Sequence, residues 1–151
     1  MKKLILFFLV TLSSYSFSQS NSPDGFYTWI NHSVQEVTLV KGNPANIGLS
    51  KTGDSMYVYQ TELGYSSFVY KNDIIYSTDN TSYWKTKSKA KSAFNYLLDL
   101  YKKDGFTVSS NKKDTIVVVN DKYSVKLRIM FDNNWYSVSE TGILLKKEGT
   151  L

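Results

Sequence analysis

The sequence predicts an α+β fold: antiparallel β-meanders with one main α-helix (about 86–104) packed on the C-terminal sheet, in a single domain after a signal peptide. Between Tyr123 and Phe131 the odd-numbered side chains (Tyr123, Val125, Leu127, Ile129, Phe131) are apolar, and the intervening ones are Ser124, Lys126, Arg128 and Met130. That alternation is the signature of a half-buried strand. Ala90, Phe94, Leu97, Leu98 and Tyr101 fall instead at spacings that draw one apolar stripe along a helix. Short segments such as Asn72-Asp73, Asn120-Asp121 and Asp132-Asn133-Asn134 separate the apolar runs and force antiparallel neighbours.

Taken in order, Met1-Lys2-Lys3 is a basic start and Leu4–Leu12 an apolar run. A membrane-crossing helix needs roughly 20 apolar residues, so this run is too short. Ser16 and Ser18 stand at the −3 and −1 places of a signal-peptidase site. Residues 1–18 therefore read as a bacterial secretory signal peptide, with an uncleaved N-terminal anchor as the competing reading. A lipidated anchor would need a cysteine, and the chain has none. Residues 19–25, polar and ending in Ser22-Pro23-Asp24-Gly25, form a flexible N-terminal segment, and 26–151 the α+β domain.

Phe26–Asn31 and Val34–Lys41 read as strands, the second broken by Gly42-Asn43-Pro44 because proline lacks the amide a ladder uses. Ser55–Thr61, Tyr65–Lys71 and Ile74–Thr78 make the first meander. The helix ends at Gly105, with Lys102 and Lys103 in its last turn where the dipole favours cations. Phe106–Ser109, Asp114–Val119, Lys122–Phe131, Trp135–Glu140 and Ile143–Lys147 follow as a second sheet that the helix stripe would cover. Both halves carry an Asn/Asp turn before a Trp-bearing segment, without a repeat of fixed period.

The composition excludes several chemistries. Without cysteine there is no disulfide scaffold, thiolate metal site or cysteine nucleophile. The single histidine, His32, excludes a metal site built on two imidazoles of one chain. His32 and Ser33 are adjacent on a predicted turn, and adjacency alone does not orient a nucleophile and its base. No G-x-S-x-G, H-E-x-x-H, P-loop or G-x-G-x-x-G spacing occurs. Carboxylates can hydrolyse glycosidic bonds without histidine or cysteine, and Glu36, Glu62, Asp132 and Glu140 are the candidates, although nothing in their spacing pairs them. Asp79–Ser82 and Asp132-Asn133-Asn134 offer oxygen ligands without the EF-hand pattern, and turn chemistry accounts for both.

Charge is unevenly distributed. Residues 19–79 hold 3 basic and 6 acidic side chains, whereas residues 80–128 hold 11 basic and 4 acidic. Lys85, Lys87, Lys89 and Lys91 crowd the helix start, where cations oppose the macrodipole unless an anion is held there. Lys85, Lys89, Lys126 and Arg128 are the candidate anion contacts, with a solvated lysine face as the plainer account of the same residues. Between Tyr57 and Trp84 lie eight aromatic rings in 28 residues. Tyr57, Tyr59, Tyr65 and Tyr70 are the candidate ligand-binding rings, if they stand outside the core as a stacking surface rather than as cross-strand pairs.

Together these features predict an exported, non-catalytic binding or interaction module, periplasmic or extracellular. Its partner would be a glycan, an anionic ligand or an envelope protein. No cofactor, metal or nucleic acid is expected, nor a transmembrane segment in the mature chain. The alternatives are a small secreted carboxylate-dependent hydrolase acting on envelope polymers, and an assembly subunit that pairs through a strand edge. The exported protein is expected to begin at Gln19, as intact-mass measurement of the secreted species will show; a membrane-bound species retaining residues 1–18 would contradict it.

Overall fold

The computed structural model describes residues 26–145; the expected signal peptide, the expected flexible segment 19–25 and the last residues of the final predicted strand lie outside that range. A 3-10 turn, Phe26–Trp29, leads into α1 (Val34–Lys41), β1 (Asn46–Leu49), β2 (Ser55–Gln60), β3 (Gly64–Lys71) and β4 (Ile74–Trp84). The second half consists of α2 (Lys87–Lys103), β5 (Thr107–Lys112), β6 (Thr115–Val119), β7 (Tyr123–Asp132) and β8 (Trp135–Leu144).

Three expectations need correction. Phe26–Asn31 begins as a 3-10 turn and Val34–Lys41 is an α-helix, so neither is a strand. Val34, Val37, Thr38 and Val40 favour a strand locally, but Ser33 and Glu36 form a capping box. The Ser33 hydroxyl accepts from the Glu36 amide at 3.2 Å, and the Glu36 carboxylate accepts from the Ser33 amide at 2.8 Å. Two otherwise orphaned donors are thereby satisfied. Asn46–Leu49 is a strand that sequence reading omits; it lies just past Pro44 and pairs with β2 alone, as an edge strand. Finally, the two predicted sheets are one, in the order β1-β2-β3-β4-β8-β7-β6-β5. β4 runs six residues past Thr78, and the two last predicted strands fuse into β8, so that Trp84 pairs with Tyr136 and Ser77 with Ile143.

Each half is a helix followed by a four-stranded meander. The hairpins β3–β4 and β7–β8 turn on Asn72-Asp73 and Asn133-Asn134, all four residues with positive φ between 49° and 67°. Such turns match the twist of the flanking strands. One extra residue in β4, Tyr76, falls at a bulge opposite Val69 and Tyr70. With that insertion allowed for, Ser77 corresponds to Ser137 and Asn80 to Glu140. Asn80 and Glu140 are also direct register partners, so the approximate two-fold axis relating the halves passes between them.

Both helices lie on one face of the sheet. Ala90, Phe94 and Tyr101 of α2 are buried with Phe106, Val118, Val125, Leu127 and Val138. Val37 of α1 is buried with Tyr59, Phe68 and Ile75. The 3-10 turn joins the two clusters. Its Tyr27 ring meets Phe106 at 4.8 Å and Tyr123 at 5.1 Å, while Phe26 stacks on Phe68 at 5.2 Å. Gly142 makes room for it, because a Cβ there would stand 2.8 Å from Thr78 Oγ1 and 3.3 Å from Tyr27 Cβ. Leu127 is fully buried and Lys126, beside it, faces out. Leu127→Ala should therefore lose about 2–5 kcal/mol in a urea titration, and Lys126→Ala under about 0.5 kcal/mol; equal losses would contradict the assigned faces.

Candidate functional site

Successive strand residues point to opposite faces of a sheet. One face is covered by α1, α2 and the 3-10 turn; among the described residues no element covers the other. The cross-strand register places Tyr65, Thr81, Ser139, Arg128, Thr115 and Lys112 in one row across this open face. A neighbouring row runs Ser67, Asp79, Thr141, Lys126, Val117 and Ser110. The middle of the face is thus made of small hydroxyl side chains. Ser67, Thr81 and Ser137 are only 4%, 5% and 8% exposed although nothing crosses above them. Larger neighbours on either side stand over them, and the face is a trough.

Its two ends differ chemically. A recess of about 500 Å³ at the β2–β3 end is lined by Val58, Gln60, Glu62, Tyr65 and Tyr83. The Tyr65 and Tyr83 rings lie 6.4 Å apart there, and burial raises the Tyr83 hydroxyl pKa. A recess of about 330 Å³ at the β5–β7 end is lined by Ser110, Lys112, Thr115, Val117, Lys126 and Arg128. Asp79 sits on the floor between them. Burial pushes its carboxyl above the usual range, and its Oδ1 is buried with no hydrogen-bond partner.

The candidate residues divide between the faces. Tyr59 is 7% exposed, its ring 5.6 Å from Phe68 and its hydroxyl donating to the Gly42 carbonyl at 3.2 Å. Tyr57 and Tyr70 meet edge-on at 5.1 Å against the same core. All three lie on the helix-covered face: Tyr59 is a core residue, which corrects its assignment as a ligand contact, and Tyr57 and Tyr70 are half-buried beside it, away from the open face. The physical reason is register: Tyr57 is opposite Phe68 and Tyr65 opposite Gln60, so the tyrosines of one hairpin separate onto two faces. Tyr65, Lys126 and Arg128 share the open face. Lys85 lies at its margin, Nζ 5.7 Å from the Trp135 ring centroid. Lys89 is apart from them on α2, its amide donating to the Thr86 hydroxyl at 3.3 Å, so that helix end is capped by its own chain. Tyr83, Asp79 and Lys112 belong to the site and are missing from the candidates. β4 reads Ser77-Thr78-Asp79-Asn80-Thr81-Ser82, polar on both faces, so no apolar period marks which side chains face the trough.

The carboxylates do not assemble into a pair. Glu140 is fully buried on the covered face, accepting from Asn80 Nδ2 at 3.1 Å and from the Tyr101 hydroxyl at 3.0 Å. Burial raises its pKa and, with the adjacent carboxyl, raises that of Tyr101 strongly. Asp79, the other desolvated carboxyl, is on the opposite face. Glu36 is exposed within its capping box, where the Ser33 amide holds its pKa low. Glu62 and Asp132 are exposed. His32 is exposed with Nδ1 3.2 Å from Glu36, while the Ser33 hydroxyl is taken up as a helix cap. Asp79–Ser82 proves to be strand rather than loop. Among the described residues no three His, Cys, Asp or Glu side chains are grouped to hold a metal ion, and no helix is long and apolar enough to cross a membrane.

No protein-family model and no curated protein matches the chain. Among solved structures it is similar to an extracellular protein containing an SCP domain from Bacillus anthracis str. Ames, with a TM-score of 0.49 and 16% identity over 82% of this chain. The chain spans 46% of the length of that protein.

The buried carboxyl has a consequence for stability. The folded state raises the Glu140 pKa above its ordinary 4.5, so the neutral form is favoured by folding. Its contribution is fully present below about pH 4.5 and is lost as pH rises toward the folded pKa. Glu140→Gln should reduce the decline in urea midpoint between pH 4.5 and 7, with Asp79, shifted in the same direction, supplying the remainder. Glu140→Ala, which strands Asn80 and the Tyr101 hydroxyl, should destabilise at every pH. An unchanged pH profile in Glu140→Gln would mean that the carboxyl is ionised in the folded protein.

Proposed function

We propose that this chain is an exported, non-catalytic binding module whose ligand surface is the open face of the sheet. The observation that carries the reading is the uncovered trough itself. Hydroxyl side chains form its floor, paired tyrosines stand at one end and three cations at the other, in a fold whose opposite face carries both helices and the 3-10 turn. Solvent-facing sheets with no role need no recesses and no clustered rings. The leader-like segment Met1–Ser18 supports export. The separation of Asp79 and Glu140 onto opposite faces supports a non-catalytic role, since the two carboxyls of a glycosidase must flank one bond.

The test uses envelope material from the exporting cell. Immobilised protein is expected to retain a component of that fraction, and Tyr65→Ala with Arg128→Ser should remove retention. Tyr96→Ala with Lys91→Ser, a matched change on the exposed side of α2, should leave it intact. Retention lost equally in both variants, kept in both, or never observed would overturn the assignment of the open face.

A further inference from the structure

We propose that the trough holds an extended acidic oligosaccharide laid across the strands, its sugar faces on Tyr65 and Tyr83 and its acidic groups over Lys112, Lys126 and Arg128. The inference rests on the open face being the ligand surface and adds the class and direction of the ligand. Tyr65 and Lys112 belong to one register row, five strand spacings apart, which is about 24 Å at about 4.8 Å per strand. A ligand that meets both recesses is therefore a linear chain of several units running across the strands.

Four features select its chemistry. Tyrosine rings beside a polar floor suit the amphipathic faces of sugars. The floor offers hydroxyls at Ser67, Thr81, Ser139 and Thr141, and at Asp79 a buried Oδ1 without a partner, an acceptor placed for a ligand hydroxyl. Lys112, Lys126 and Arg128 stand together without a counter-ion: among the described residues the one ion pair is His32 with Glu36. Lys126 and Arg128 are two residues apart on the open face of β7, and Lys112 of β5 faces Arg128 across Thr115 of β6, so their like charges repel unless an anion joins them. Lastly, Glu62 lines the tyrosine recess while no carboxylate lines the β5–β7 recess, so an acidic group is better placed at the latter. A polypeptide partner fits less well, because protein interfaces have an apolar core depleted of charge. An added strand, moreover, would use the edges β1 or β5 rather than this face.

Calorimetric titration of the full exported chain at low salt decides it, with cellotetraose, tetragalacturonate, a sulfated tetrasaccharide and a tetraglutamate peptide as probes. The acidic sugars are expected to bind at least about tenfold more tightly than cellotetraose, with affinity falling as salt rises. Arg128→Ser and Lys126→Ser should bring the acidic sugars down to the level of cellotetraose, and Lys112→Ser, at an exposed position, repeats the test where either variant lowers the melting temperature. Tyr65→Ala should weaken all sugars about tenfold. Preference for uronate over sulfate, or the reverse, identifies the acidic group. Equal affinity for acidic and neutral sugars, equal affinity for tetraglutamate, or no effect of the cation or Tyr65 variants would overturn the proposal. If no sugar binds while envelope retention still depends on the open face, this inference falls and the assignment of the surface stands.

Discussion

The antiparallel ladder between β4 and β8 is the constraint on which the rest of the molecule depends. Each half supplies one helix and four strands, and β4 and β8 would be their unprotected edges. Joined from Ser77–Ile143 to Trp84–Tyr136, they close the seam and set both meanders in a common plane. At its centre Asn80 and Glu140 face each other on the covered side, bonded side chain to side chain, and Tyr101 reaches down from α2 to the same carboxyl. A slip of one residue would turn Glu140 to the open face; a slip of two would bury it away from Asn80. Burying a carboxyl is unfavourable by itself, and here it is offset by bonds to Asn80 and Tyr101 that this register brings together.

The seam also decides what the two faces can be. On the covered side Thr78 and Gly142 are small, which lets the 3-10 turn lie across β4 and β8 and send Tyr27 into one core and Phe26 into the other. On the open side Thr81, Ser137, Ser139 and Thr141 are small as well, between Tyr83 and Trp135 toward one end of the seam strands and Ile143 toward the other. The hydroxyl-floored trough is thus a direct result of where the two meanders meet. Glu62 of the first half and Lys112, Lys126 and Arg128 of the second come to its two ends, because the strand order places β2–β3 and β5–β7 on opposite sides of the seam.

Elements whose stabilising contacts are local were legible in the sequence. α2 follows its apolar stripe almost to the residue, and β7 alternates from Val125 to Met130, although Phe131, expected to be inward, is 62% exposed beyond the end of α2's cover. The turns at Asn72-Asp73 and Asn133-Asn134 are where Asn and Asp, which tolerate positive φ, place them. α1 was misread, although its signal was present: Ser33-Val34-Gln35-Glu36 spells a capping box that outweighs the β-branched residues after it. β1 had little to announce it, with four residues and Ile47 and Leu49 largely exposed.

The site was legible in part. Composition located the cations Lys126 and Arg128 and the ring of Tyr65, all of which face the trough. It could not sort Tyr57, Tyr59 and Tyr70 from Tyr65, because which face of a strand is covered depends on where distant helices dock. Nor could it find the seam: the small polar residues of β4 carry no period, and their neighbours in β8 come some 60 residues later. The sequence by itself determined the local elements, the turns and the charge of each half, all set by side chains a few positions apart. Only the tertiary structure decided that two meanders form one sheet and that a single face stays open, because those follow from β4 pairing with β8 across the intervening length of chain.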